Sequence, residues 1–160
     1  MLAGWRDLVA DAPDELTTEG LVWSLPDVEE LPPELRGAPH VGVAGMWAGD
    51  PAEGERVMRP LRELATPLID MSMPMTYLEL QRSLDPFFQA GARRYWKALY
   101  LDDFSDEVID TMASWAERRP SPETLVIVRH CGGAIARVGA EDTAFGDRSA
   151  EWMLSIDSTW

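Results

Sequence analysis

The sequence is 160 residues long, enough for one domain with a substantial buried core. Its 28 Asp and Glu residues outnumber 14 Lys and Arg residues, so the net charge is −14. This charge argues against nucleic-acid partners and against anionic membrane surfaces, because both are bound through basic residues. Cys131 is the single cysteine, which excludes an intrachain disulfide. With no apolar leader at the N-terminus, we expect a soluble, cytoplasmic protein.

Hydrophobic periodicity and turn residues divide the chain into alternating helices and strands. The predicted elements are a helix over residues 2–11, strands at Thr17–Leu25 and His40–Trp47, a helix from Pro51, a strand at Pro67–Met73, a short helix after Pro74, a strand at Arg93–Leu101, a helix from Ser105, two strands within Thr124–Val138 and a strand at Glu151–Trp160. Helices placed between strands can all cover one side of a sheet. We therefore predict an α+β fold: an antiparallel sheet of about six to seven strands with helices packed on one face, in ferredoxin-like layering.

The stretch TLVIVRHCGGAIARV, residues 124–138, predicts the centre of this sheet. Its first arm is rich in β-branched residues and ends at His130. Gly132 and Gly133 follow, and two glycines between apolar arms indicate a tight hairpin turn, because glycine adopts positive φ at little cost. The second arm, Ala134–Val138, is then expected to return as an antiparallel strand.

Two helices carry clear start signals. Asp50 is a predicted N-cap, followed by Pro51 at the first helical position and by Glu53, which would complete a capping box. Pro60 lies inside the same helix and is expected to kink or split it. The helix after Ser105 has an apolar stripe that we expect to be buried, made of Val108, Ile109, Met112, Trp115 and Ala116.

Several catalytic arrangements are disfavoured by the sequence. His130 and Cys131 are adjacent, so in a strand their side chains point to opposite faces and cannot form a thiol–imidazole pair. Two histidines and one cysteine lack the usual metal-ligand spacings, so no metal site is predicted. The chain has neither a Gly-x-Gly-x-x-Gly stretch nor a phosphate-binding loop with its lysine. The paired carboxylates near Asp102 and Asp106 are best interpreted as helix caps.

The remaining candidate site is the polar part of the predicted sheet. Polar side chains occur on neighbouring strands at positions that can all point one way: Tyr95, Lys97, His130, Ser155 and Asp157. An ordinary solvated sheet face is the alternative interpretation. The chain's seven tryptophans and eight methionines favour instead a covered surface that meets a ligand or a partner. We predict that these five residues face a substrate or a planar cofactor.

The order of several short motifs resembles one known family. The matching segments are DAPDELT at 11–17, AGDPAEGERV at 48–57 with Pro60-Leu61, Tyr95-Trp96-Lys97, His130 with GGA at 132–134 and ARV at 136–138, and Ala144-Phe145 with Arg148 and Trp160. Together these segments span nearly the whole chain. The sequence resembles the substrate-binding domain of FAD-linked oxidases of the berberine bridge enzyme type.

This resemblance implies a large antiparallel sheet backed by helices, whose open face covers the reactive ring of FAD. The family's separate FAD-binding domain and its C-terminal segment have no counterpart in these 160 residues. We therefore expect residues 1–160 to be a single substrate-binding-type domain, a fragment of a larger FAD-dependent oxidoreductase. In that case another domain holds the FAD, and Cys131 is not a flavin-linking cysteine.

Two departures from the family pattern weaken the transfer of particular substrate roles. Residues 145–148 read Phe-Gly-Asp-Arg where Phe-Pro-His-Arg is usual, and Trp152 stands where a tyrosine is expected. His130 and Asp157 could make polar contacts, but the sequence assigns neither of them as the catalytic base.

Two classes of function follow from the sequence. The first is the substrate-binding portion of an FAD-dependent oxidoreductase that oxidises a small alcohol, sugar or aromatic compound with hydride transfer to flavin, which could involve a separate FAD-binding domain. The second is a non-enzymatic α+β domain that uses its open sheet face for a partner protein or for self-association. We expect the purified chain to carry no flavin unless an FAD-binding domain is added; absence of flavin together with a dimer in solution would favour the second class.

Overall fold

The structure is a computed structural model that describes residues 1–25, 27, 29, 31–88, 90–145 and 148–160. The strands are β1 (Leu16–Ser24), β2 (Pro39–Trp47), β3 (Arg94–Leu101), β4 (Leu125–His130) and β5 (Trp152–Thr159). The α-helices are α1 (Leu2–Val9), α2 (Pro51–Arg62), α3 (Tyr77–Arg82), α4 (Asp106–Ala116) and α5 (Ala134–Arg137). Short 3₁₀ helices span Pro33–Leu35 and Asp85–Phe87.

The strands form one antiparallel sheet in the order β2-β1-β4-β5-β3. The predicted α+β class, with one open antiparallel sheet and helices, is confirmed. Within the described residues the sheet has five strands, slightly fewer than the six to seven predicted. The strand β4 lies at its centre, as the run of β-branched residues predicts.

The register assigns each strand residue to one of two faces, because directly opposite residues in antiparallel strands point the same way. We call the face that contacts α1 and α2 the helix face and the other the open face. The helix face carries Val22, Val126, Val128 and Trp152. The open face carries Glu19, Leu21, Trp23, His40, Gly42, Ala44, Trp96, Ala98, Tyr100, Leu125, Ile127, Arg129, Met153, Ser155 and Asp157.

The core lies between the helix face and α1, around the fully buried Trp5. Its ring meets Trp152 edge-on with centroids 5.5 Å apart, and its indole Nε1–H donates to Thr18 Oγ1 at 3.0 Å. A Cβ on Gly20 would come within 2.8 Å of the same ring. Glycine at this position therefore lets α1 lie directly on β1.

The start of α2 agrees with the sequence in part. Asp50 caps the helix by accepting from Ala52 N at 2.8 Å, and Pro51 is the first helical residue. Glu53 does not complete a capping box; its carboxylate pairs with Arg56 at 3.1 Å. The helix also continues past Pro60 to Arg62, so the expected split is absent from this described segment.

The predicted hairpin at residues 124–138 is wrong in its second arm. The first arm is β4, but Gly133, at φ 61°, leads into α5 rather than a strand. The physical reason is that β1 and β5 already occupy both sides of β4, which leaves the second arm no edge to pair with. Arg137 instead donates to the Asp14 carboxylate.

The predicted strand at Pro67–Met73 is also wrong. This segment has no strand hydrogen bonding and its large apolar side chains are exposed. Asp70 Oδ1 accepts from the backbone N–H of Ser72 at 2.9 Å, a local bond that competes with sheet pairing. The short helix expected after Pro74 is confirmed as α3, which begins with a capping box between Thr76 and Glu79.

The buried stripe predicted for α4 is correct except at Trp115. Met112 and Ala116 are buried and Val108 packs against the core, whereas Trp115 is 64% exposed. Its ring lies under the Arg118 guanidinium, 4.4 Å from the ring centroid. The side of α4 that contacts the core is therefore narrower than the apolar pattern suggests.

Candidate functional site

The strand β5 carries a buried polar pair on the open face. Ser155 and Asp157 are two apart on β5 and are 8% and 7% exposed. The Ser155 hydroxyl donates to Asp157 Oδ1 at 2.5 Å. By register Asp157 lies between Leu125 of β4 and Trp96 of β3. Such a pair is stable because the hydroxyl compensates part of the carboxylate's lost hydration.

One end of the open face is lined by aromatic rings. Phe87 meets Trp23 edge-on at 5.2 Å, and Phe88 meets Trp96 edge-on at 6.3 Å. Trp23 and Trp96 lie on β1 and β3, so the segment that carries Phe87 and Phe88 crosses this end of the face. The Arg94 guanidinium lies 5.5 Å from the Phe88 centroid. Trp96 nevertheless remains 59% exposed, available for contact with another planar group.

The opposite end of the face is more polar. Arg129 of β4 pairs with Glu19 of β1 at 3.1 Å across the two central strands. Tyr100 of β3 meets Phe145 edge-on at 6.3 Å, and the Arg148 guanidinium lies 4.8 Å from the Phe145 centroid. Between the two ends the face therefore changes from indole and phenyl rings to a phenol and guanidinium groups. Such a surface can contact a planar ring and a polar substrate together.

The five predicted site residues do not share one face, so that geometric expectation is wrong. Ser155 and Asp157 are on the open face, whereas Tyr95 lies opposite Ser158 and Lys97 opposite Ile156 on the helix face. His130 also lies on the helix face, opposite Trp152. The alternation of faces within each strand was predicted correctly. Which residues of neighbouring strands share a face was not, because that depends on the pairing register.

The surroundings of the three helix-face residues differ. The centroid of the His130 imidazole lies 4.9 Å from that of the Trp152 ring, with the two planes tilted by 48°, and its Nε2 lies 3.6 Å from a Glu151 carboxylate oxygen. Tyr95 is 57% exposed, and Lys97 Nζ lies 5.7 Å from its ring centroid. Their predicted role as substrate- or flavin-facing groups stays a prediction, on the face opposite to the buried pair.

Sequence reasoning missed other residues of the open face, above all Trp23, Trp96 and His40. The His40 Nδ1 atom is buried without a hydrogen-bond partner among the described residues. It lies beside Trp23 on the open face. The available signal was the alternation of Trp96, Ala98 and Tyr100 on β3, which groups two large aromatics on one side.

Cys131 is not suited to nucleophilic chemistry. Burial raises the pKa of its thiol, and the nearby Arg129 guanidinium only partly opposes that shift. The Sγ atom lies 3.8 Å from the Arg129 carbonyl oxygen. A thiol with a raised pKa is mostly protonated at neutral pH, and the thiolate is the reactive form.

The described residues contain no group of three or more His, Cys, Asp or Glu side chains that could hold a metal ion. No helix in the described part of the chain has the length and apolar character needed to cross a membrane. Neither of two depressions in this part of the chain has Ser155, Asp157 or Trp96 in its lining. One, about 330 Å³, is lined by residues that include Arg6, Asp103 and Glu151, and the other, about 100 Å³, by residues that include Asp14 and His130.

The open face fits one part of FAD and not another. Its exposed rings, Trp96 and Tyr100, suit contact with the planar isoalloxazine ring. The sequence has no glycine-rich loop for the pyrophosphate. The residues present therefore fit the ring of FAD and supply no such loop for its phosphates.

Neither protein-family models nor curated protein sequences match this chain. Solved structures do. Berberine bridge enzyme from Eschscholzia californica superimposes with a TM-score of 0.74 at 13% identity, over 99% of this chain and 32% of that one. The chain shares its fold with about a third of berberine bridge enzyme.

Two further structures give the same result. A berberine bridge enzyme-like protein from Arabidopsis thaliana matches with a TM-score of 0.72 at 14% identity, covering 99% of this chain and 34% of that chain. Chitooligosaccharide oxidase matches with a TM-score of 0.69 at 12% identity, with the same coverage. The resemblance to the berberine bridge enzyme type inferred from short motifs is thus confirmed, and this chain spans about one third of the length of these proteins.

Proposed function

We propose that this chain is the substrate-binding portion of an FAD-dependent oxidoreductase. The observation that carries the proposal is the match of 99% of the chain to one third of berberine bridge enzyme and of chitooligosaccharide oxidase. By analogy, the substrate is a small alcohol, sugar or aromatic compound, and FAD is held mainly by another domain or polypeptide. When bound against the open face, FAD would accept hydride from a substrate C–H bond.

In this proposal the residues of the open face orient the reactants. Trp96 and Tyr100 make the first contact with a planar ring, because they are exposed whereas Ser155 and Asp157 on the neighbouring strand are buried. The carboxylate of Asp157, beside Trp96, favours a substrate that presents a hydroxyl donor to this region. Arg129 and Glu19 provide polar contacts at the other end.

Riboflavin tests the proposal, since it carries the flavin ring without the pyrophosphate. We expect the purified chain to be colourless and to bind added riboflavin weakly, measured by quenching of riboflavin and tryptophan fluorescence. The variant Trp96→Ala should weaken binding by about tenfold, because stacking on one aromatic ring contributes roughly 1–3 kcal/mol. Trp115→Ala is the matched control, since Trp115 is equally exposed but belongs to α4.

Three results would contradict the proposal in different ways. If riboflavin does not bind even at the highest concentration that can be dissolved, the open face has no flavin-facing role. Equal loss of affinity in the two tryptophan variants would place the flavin elsewhere. Stoichiometric FAD in the purified chain would show that this chain holds the whole cofactor and needs no further domain.

A non-enzymatic interaction domain is the second candidate. The observation that favours it is the set of large apolar side chains exposed between residues 68 and 87, which are Leu68, Ile69, Met71, Met73, Met75, Tyr77, Leu78, Leu84 and Phe87. Exposed apolar surface of this extent marks an interaction site in many proteins. Failure of riboflavin binding, together with stable association through this segment or through the open face, would support this candidate over the oxidoreductase.

A further inference from the structure

The strand β3 is the last strand of the described sheet, and between Trp96 and Tyr100 its outer edge has no backbone partner among the described residues. It pairs with β5 alone. Arg93 and Trp160 exchange both backbone hydrogen bonds at 3.0 Å, so Arg93 directs its N–H and C=O towards β5. Because these directions alternate along an antiparallel strand, the backbone groups of Trp96, Ala98 and Tyr100 point outwards. These groups are the template on which a further strand can pair.

The edge has few of the features by which proteins prevent such pairing. The eight residues Arg94–Leu101 contain no proline and no glycine, and six of them in a row are exposed. Proteins commonly protect an edge strand with a proline, a bulge, a covering segment or several charges. Here Lys97 is the one charge within the six exposed residues.

The charged residues at the two ends of β3 have opposite signs, so two antiparallel copies of this strand are complementary in charge. Arg93 and Arg94 come at its start, and Asp102 and Asp103 directly follow its end. When two copies of this stretch lie antiparallel and centred on Ala98, Arg94 of one copy faces Asp102 of the other, and Arg93 faces Asp103. The same pairs recur at both ends. In a chain with a net charge of −14, adjacent arginines placed opposite adjacent aspartates favour a second copy of the same edge.

The backbone and the side chains select the same register. In a register centred on Ala98, the Ala98 residues of the two copies form a hydrogen-bonded pair, because their backbone N–H and C=O groups already point outwards. The same register places the open faces of both copies on one side of the joined sheet. Trp96 then lies opposite Tyr100 of the second copy, a favourable cross-strand aromatic pair. A register centred on Lys97 would instead bring two lysines together. We infer that the β3 edges of two copies pair antiparallel about Ala98, forming a two-fold dimer with a continuous sheet.

This inference is independent of the proposed function, and charge exchange tests it on the full chain. Variant one carries Asp102→Arg and Asp103→Arg; variant two carries Arg93→Asp and Arg94→Asp. Each alone places like charges opposite each other, which should raise the dimer dissociation constant by about tenfold or more. An equimolar mixture should recover a heterodimer, because the arginines of variant one then face the aspartates of variant two.

Analytical ultracentrifugation at micromolar concentrations measures the association, and circular dichroism confirms that each variant is folded. Asp11→Arg with Glu15→Arg is the control, since it makes the same charge change in the α1–β1 connection and should leave the dimer intact. Ala98→Pro should also prevent dimerisation, because it removes an outward N–H that β5 does not use.

Three outcomes would overturn the inference. The first is a wild-type chain that stays monomeric across the concentration range. The second is a dimer that neither charge variant weakens, as would occur if the open face formed the contact. The third is folded charge variants that fail to associate when they are mixed.

Discussion

The variant Thr18→Val tests the central contact of the core. Thr18 is buried on the helix face, and its Oγ1 accepts from the indole N–H of Trp5 at 3.0 Å. Valine has nearly the same shape, so the substitution removes the acceptor and leaves the fully buried indole N–H without it. A buried donor left unsatisfied costs about 1–3 kcal/mol, and we expect this loss in the free energy of unfolding. For a chain of this size, each kcal/mol lowers the melting temperature by roughly 2–4 °C.

Urea denaturation followed by tryptophan fluorescence measures the effect, with an unchanged m-value showing that the stability of the fold alone has changed. Thr17→Val is the matched control: Thr17 is the neighbouring residue on the same strand but is exposed, so its change should stay within about 0.5 kcal/mol. A double-mutant cycle with Trp5→Phe should give a coupling of about 1 kcal/mol. Equal effects of the two valine substitutions would refute the assigned hydrogen bond.

Three further predictions concern packing, pH and thiol reactivity. Gly20→Val should destabilise the protein by roughly 1–3 kcal/mol in thermal unfolding, because its side chain would overlap Trp5. Arg137 lowers the pKa of Asp14, so their ion pair stabilises the fold above the ordinary aspartate pKa. The stability difference between wild type and Asp14→Asn should therefore shrink as pH falls below that value. Cys131 should react with a disulfide reagent far faster after unfolding than before, because burial raises its pKa and shields it.

The sequence predicted most elements because the local signals were strong. The β-branched run at 126–128 identifies a central strand, and Asp50 with Pro51 identifies the start of α2. The predicted helix over residues 2–11 corresponds to α1, whose apolar side chains Leu2, Trp5 and Val9 are all buried. In each case residue type and spacing act over one turn or one strand. The element could therefore be predicted without knowledge of distant contacts.

The errors arose in segments whose structure depends on which strand edges are already paired with other strands. Ala134–Arg137 could form a strand or a helix from its composition, and the absence of an open edge beside β4 decides in favour of the helix. The segment Pro67–Met73 is apolar enough for a strand but forms none. Propensity is a weak guide at such positions, because tertiary context overrides it.

The sequence by itself determined the class of fold, the alternation within each strand and the family resemblance, since all three depend on local pattern and order along the chain. Only the tertiary structure decided which side chains meet. Register places Asp157 beside Trp96 and moves Lys97 and His130 to the other face. A shift of one residue in pairing exchanges the two faces of a strand, and no local pattern specifies that shift when both faces carry large side chains, as in β3.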